Sequence, residues 1–155
     1  MDRTQADAHI ARLGDVLGLG GLVLDDQGLC LLALDGGALL IKMGYQPQSG
    51  SINLMVCLDK VIPTPVQMAD LLAAHFGWAH VDTGVFAIEP GTGALVLQRR
   101  CGDDELGAGL YSIIDAMVNV AERWRDMLAT GAGPGPGPLA QPRGRKPFFP
   151  LAGRV

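Results

Sequence analysis

Between Leu22 and Leu58 the chain runs through short apolar segments, most of them set off by polar stretches that contain glycine. Leu22-Val-Leu24 and Leu29-Cys-Leu-Leu-Ala-Leu34 flank the turn-like Asp25-Asp-Gln-Gly28, which is a hairpin signal. Asp35-Gly-Gly37 interrupts the second run. Ala38-Leu-Leu-Ile-Lys-Met43 then resumes it, either as a bulged continuation or as a separate strand. Tyr45 to Gly50 reads as a loop. Beyond it Ile52, Leu54, Val56 and Leu58 alternate with Asn53, Met55, Cys57 and Asp59, the period of a strand with one strongly apolar face.

Helical spacing brackets this stretch. Ala6, Ile10, Leu13 and Leu17 fall on one face over residues 4–17, and Gly18, Gly20 and Gly21 stop the helix. A second helix starts with Thr64 at the N-cap, Pro65 at the first helical position and Gln67 at capping-box distance. Met68, Leu71, Leu72 and His75 share its face, and Gly77 ends it. Val81 to Ile88 and Ala94 to Cys101 predict a second hairpin across Glu89-Pro-Gly-Thr-Gly93. One long helix opens at Asp103-Asp-Glu105, whose acids suit its N-terminal dipole. It carries Leu106, Leu110, Ile113, Met117, Val120, Trp124 and Leu128 on one face, with Gly131 as its cap. The expected order is α-β-β-β-α-β-β-α: an α+β domain with a mainly antiparallel, twisted sheet flanked by three helices.

Composition sets the limits of that domain. Residues 131–155 hold six Gly and six Pro, beginning Gly131-Ala-Gly-Pro-Gly-Pro-Gly-Pro138, which suits neither helix nor sheet. The folded domain is therefore expected over 1–130, with 131–155 as a flexible basic tail. All 16 acids lie before residue 131, against eight of the 12 bases, so the body carries −8 and the tail +4. An acidic body argues against nucleic acid as the main partner. The N-terminus lacks the basic-then-apolar pattern of a secretory signal. The longest wholly apolar run, Leu29 to Leu34, is far short of a membrane span. Cys30, Cys57 and Cys101, odd in number and set in apolar sequence, suggest reduced core residues of a cytoplasmic protein.

The polar residues do not assemble a catalytic constellation. There is no Gly-x-x-x-x-Gly-Lys-Ser/Thr loop, no dinucleotide-binding glycine pattern, and no serine in a nucleophile elbow. His75 and His80 are five apart with Gly77 between them, which is not the spacing of a zinc pair on a helix. No cysteine stands at a predicted helix start or beside a histidine, where its thiolate would be favoured. Asp25-Asp26 suits a turn and Asp103-Asp-Glu105 a helix start. The expectation is no enzyme, no metal and no cofactor. Surplus apolar surface remains. Leu31 and Leu32, or Leu39 and Leu40, are strand neighbours that must point to opposite faces, and the helices are too few to cover both. Such patches mark association.

Several local patterns resemble the class I type III secretion chaperones, the Tir-chaperone-like family. They are Leu17-Gly-Leu-Gly20, the run Leu22-Val-Leu-Asp-Asp-Gln-Gly-Leu-Cys-Leu-Leu-Ala-Leu-Asp35, and the helix Met68-Ala-Asp-Leu-Leu-Ala-Ala-His-Phe76. Gly84-Val-Phe-Ala-Ile-Glu-Pro-Gly-Thr-Gly-Ala-Leu-Val-Leu97 and Val120-Ala-Glu-Arg-Trp-Arg125 complete them, so the resemblance covers residues 5 to about 129. It implies a cytoplasmic homodimer that binds the N-terminal chaperone-binding segment of a secreted effector in extended form and keeps it export-competent. It also implies the secretion-system ATPase as a candidate further partner. The resemblance puts the dimer contact at Met68, Leu71, Leu72, His75, Val85 and Phe86. It puts the effector groove at Ile10, Leu13, Leu17, Leu22, Leu24 and Leu32. The ending His75-Phe76, where relatives often carry Ala-Asn, and the Gly/Pro-rich tail depart from the family pattern. The alternatives are a small dimeric scaffold of roadblock or longin type, which would hold folded partners, and a hydrolase with an unrecognised site.

Overall fold

The computed structural model describes residues 1–34, 39–58, 61–76 and 84–131. The expected tail, apart from Gly131, lies outside the described residues, as do Asp35 to Ala38, Gly77, His80 and the first part of the expected strand Val81–Ile88. The first helix, α1 (Arg3–Leu17), starts from a capping box that the apolar spacing does not reveal. The Asp2 carboxylate accepts the Gln5 N–H at 2.9 Å, and Gln5 Oε1 accepts the Asp2 N–H at 2.7 Å. Gly18 closes it in the left-handed conformation at φ 68°.

Three strands follow: β1 (Leu29–Leu34), β2 (Leu39–Gln46) and β3 (Ser51–Leu58). The resumed apolar run is thus a strand of its own, and β2 takes Tyr45 and Gln46 from the expected loop. Leu22–Leu24, expected as a strand, is not one. Next come α2 (Pro65–Phe76), β4 (Val85–Ile88) and β5 (Leu95–Cys101). The capping box of α2 forms as its sequence predicts, with Thr64 N–H to Gln67 Oε1 at 2.9 Å and Gln67 N–H to Thr64 Oγ1 at 3.3 Å. The single long helix expected after β5 is two: α3 (Asp103–Gly107) and α4 (Leu110–Thr130). Gly109 breaks it at φ 119°, which side chains rarely tolerate. Four helices therefore stand among the described residues where three were expected.

The sheet order is β1-β2-β3-β5-β4, antiparallel at every pairing. Alternation divides its faces. Cys30, Leu32 and Leu34 of β1 share an inner face with Leu39, Ile41 and Met43 of β2, and with Ile52, Leu54, Val56 and Leu58 of β3. Against that face lie Ala6, Ile10 and Leu13 of α1 and Ile114, Met117, Val118, Ala121 and Trp124 of α4, all in one core. On the outer face the register aligns Leu31, Lys42, Met55, Gln98 and Val85 in a row across all five strands. Both ends of that row are apolar and exposed, Leu31 at 60% and Val85 at 40%. The adjacent leucines do point to opposite faces, and the helices cover one of them.

Candidate functional site

The sheet leaves two edges, and each carries uncovered apolar side chains. At β1, Tyr45 N–H bonds Gly28 C=O at 2.8 Å, so the alternating ladder turns the backbone groups of Leu29, Leu31 and Ala33 away from β2. Asp25 satisfies both outward groups of Leu29. Its N–H donates to Leu29 C=O at 2.7 Å, and its Oδ1 accepts Leu29 N–H at 2.8 Å. Leu31 and Ala33 have no such partner among the described residues. They form an open edge beside exposed apolar side chains: Leu31, Leu29, Val23, and Val16 and Leu19 at the end of α1. The exposed Asp15, Asp25 and Asp26 lie in the same stretch of chain.

The six leucine and isoleucine residues assigned to an effector groove sit differently. Ile10, Leu13, Leu24 and Leu32 are core residues, none more than 5% exposed. Leu17 and Leu22 are partly buried and pack against the same core. The parity of the strand is the reason: Leu32 points inward, and Leu31, its neighbour, points out. Spacing on α1 likewise marked the face turned to the core. The outward residues Val16, Leu19, Val23, Leu29 and Leu31 were not singled out. The adjacency of Leu31 and Leu32 was the available signal for the last of them.

At the other edge, α2 packs beside β4. Met68, Leu71, Leu72, His75 and Phe86 line one depression together with Ala87, Ile88 and Leu95. Five of the six residues expected at a dimer contact are thus brought together, with Val85 next to Phe86 on the strand. Leu71 is buried, whereas Leu72 is 70% exposed. Ile62, before α2, and Val66, in its first turn, are still more exposed and are not among the expected contact residues. His75 locks the junction. Its Nε2 accepts the Phe86 N–H at 3.0 Å, and its ring meets Phe86 edge-on, while Phe86 in turn meets Trp124 edge-on. The neutral imidazole therefore joins helix, edge strand and core.

The titratable groups serve structure. Burial pushes the Cys101 thiol up to about 11 and raises Cys30 as well, the nearby Asp25 adding to the latter. Both thiols are thereby kept from the thiolate form a nucleophile needs. Lys42 and the Thr92 hydroxyl hold the Glu89 carboxylate below its usual range by hydrogen bonding. Arg99 and the Gly102 N–H do the same for Glu105. Among the described residues no group of three or more His, Cys, Asp or Glu could hold a metal ion. No helix among them is long and apolar enough to cross a membrane.

A sequence model of the Tir chaperone protein (CesT) family matches residues 9–125, from α1 almost to the end of α4. The chain belongs to the CesT family. As a CesT-family member it is a type III secretion chaperone, of the class that binds effectors. Solved structures agree on the fold. The chain is similar to one in the crystal structure of the ExsC–ExsE complex, with a TM-score of 0.72 at 18% identity, covering 83% of this chain and 97% of that one. It is also similar to one in the HopA1–SchA chaperone–effector complex, with a TM-score of 0.64 at 16% identity, covering 81% and 98%. No curated protein matches the sequence. The CesT-family fold here is α+β with a five-stranded antiparallel sheet, whose edges are β1 and β4.

Proposed function

We propose that this CesT-family chain works as a cytoplasmic homodimer that takes up the N-terminal segment of a secreted effector in extended form. The observation that carries this reading is the open β1 edge at Leu31 and Ala33, flanked by exposed apolar side chains. A disordered client loses chain entropy on binding and needs a large apolar area in return. Strand addition pairs the client's backbone groups without demanding a particular sequence. Its side chains then lie beside Leu29 and Leu31, where each buried CH₂ contributes about 0.8 kcal/mol. The segment stays unfolded while held, which is the export-competent form, and the chaperone needs no catalytic group or cofactor for that. Delivery to the secretion-system ATPase belongs to the same reading.

The second edge supports the dimer. Leu72, exposed at the depression beside Phe86, would be covered by a second copy. Two copies offer a client two β1 edges, so binding at one raises the effective concentration at the other.

Pull-down of the tagged full chain from its native cell, followed by limited proteolysis of what is retained, tests the proposal. A captured effector whose N-terminal segment is protease-sensitive once released, yet protected on the chaperone, is the expected result. A partner that resists protease when free would favour the scaffold reading. A chain that captures no effector overturns the proposal.

A further inference from the structure

The stretch from Gly20 to Leu24 holds a hairpin that begins and does not finish. Asp25 N–H donates to Leu29 C=O as in the first pair of an antiparallel ladder, while the Asp25 side-chain Oδ1, in place of its carbonyl, accepts the Leu29 N–H. Continued by two residues, that ladder would place Val23 opposite Leu31 as the next mutually bonded pair, and Leu24 opposite Cys30. The side chains already conform to this register. Leu24 and Cys30 are both buried at 5%, and Val23 and Leu31 are both exposed, at 63% and 60%. The backbone does not follow, for Leu22–Leu24 makes no strand pairing.

Arg3 holds it away. One nitrogen of its guanidinium, Nη2, donates to Leu24 C=O at 3.0 Å and to Asp25 C=O at 2.9 Å. The same group donates through Nε to Asp7 Oδ2 at 2.9 Å, which fixes the fork on α1. At the other end, Leu22 lies against α1 at Gly14, where an added Cβ would meet the Leu22 Cβ at 3.0 Å. The segment is thus drawn toward the helix at both ends, and Leu31 keeps its outward N–H and C=O.

We propose that Arg3 is a positioning residue for client uptake: it keeps Leu22–Leu24 off β1 and so leaves Leu31 open to an incoming strand. This rests on the strand-addition reading above and deepens it. Leu22-Val-Leu24 is then a strand-forming segment of the chain itself, set in register to close the edge and held back by charge-assisted bonds to two carbonyls. The chain's own segment and the client compete for the same two backbone groups of Leu31. Losing the guanidinium lets Val23 take them.

Amide hydrogen exchange in the free full-length protein tests this without any client. In Arg3→Ala, exchange at Leu31 and Val23 should slow by about tenfold, the ratio expected from about one net backbone hydrogen bond. Ala33 should stay fast, and a close Leu24 Hα–Cys30 Hα contact should appear by NMR. Arg3→Lys, which keeps a charge beside Asp7 but loses the fork, should move the same way by less. It serves as the readout if Arg3→Ala does not fold. Adding Val23→Pro to Arg3→Ala removes the N–H that would bond Leu31 C=O, and its ring blocks the approach that Val23 C=O needs to accept the Leu31 N–H, so fast exchange at Leu31 should return. The effector fragment recovered by pull-down should bind Arg3→Ala about tenfold more weakly and the double variant as it binds the wild type. Unchanged exchange at Leu31 in a folded Arg3 variant, or slowing that survives Val23→Pro, overturns the proposal. Slowed exchange with unchanged fragment binding leaves Arg3 holding the segment but overturns its role in uptake and, with it, the β1 reading.

Discussion

At the scale of single residues, one position of strand parity separates a core side chain from a binding one. Leu13 and Leu24 are almost wholly buried. Aspartate at either would place a charge in the core and cost at least about 3 kcal/mol, a large share of a domain's stability. We expect Leu13→Asp and Leu24→Asp to lose the cooperative melting transition. Leu31→Asp should melt within a few degrees of the wild type and yet lose the effector fragment. Calorimetry read beside pull-down checks both halves. If Leu31→Asp unfolds the chain, the outer face is core. The guanidinium of Arg3 is a polar group whose part spacing could not reveal, because its partners at Leu24 and Asp25 lie more than 20 residues away.

At the scale of elements, local chemistry was legible wherever it acted locally. The Thr64-Pro65-Gln67 start of α2 and the glycine stop of α1 formed as spacing predicts. Two elements escaped. The run after Asp103 reads as one apolar helix face, yet Gly109 divides it, and no periodicity of side chains reports a backbone dihedral. Leu22–Leu24 has the composition of a strand and the register of one, but makes no strand pairing and is bonded at its end to Arg3 of α1 instead. The outer face has a link of its own: Lys42 Nζ donates to Glu89 Oε1 at 2.5 Å, tying β2 to the end of β4. The Lys42 bond, then that of Thr92, holds the folded carboxyl of Glu89 below its unfolded value. Stability from this group is therefore complete at neutral pH and is lost as pH falls through the carboxylate range to the folded value. Glu89→Gln should lower the melting temperature at neutral pH and converge with the wild type once the pH has fallen below the folded value. Parallel melting curves across that range would show that the link carries no stability.

At the scale of the whole molecule, the two edges of the sheet have separate proposed tasks, the client at β1 and a second copy at α2 and β4. Leu72, exposed at 70%, tests the second. Leu72→Asp should shift sedimentation from dimer to monomer while leaving the melting of each protomer nearly unchanged, since that side chain adds little to the core. A wild-type chain that sediments as a monomer at every concentration overturns the dimer. The amino-acid sequence by itself determined which segments are strands and helices in most places, the antiparallel α+β class and the absence of a recognisable catalytic motif, because these depend on side-chain period, caps and residue type within a few positions. Only the tertiary structure decided which of two adjacent leucines faces outward, because strand alternation is symmetric until the α1 and α4 helices choose a face to cover. It also decided that the segment before β1 stays unpaired and meets Arg3, because that contact joins residues more than 20 apart in the chain.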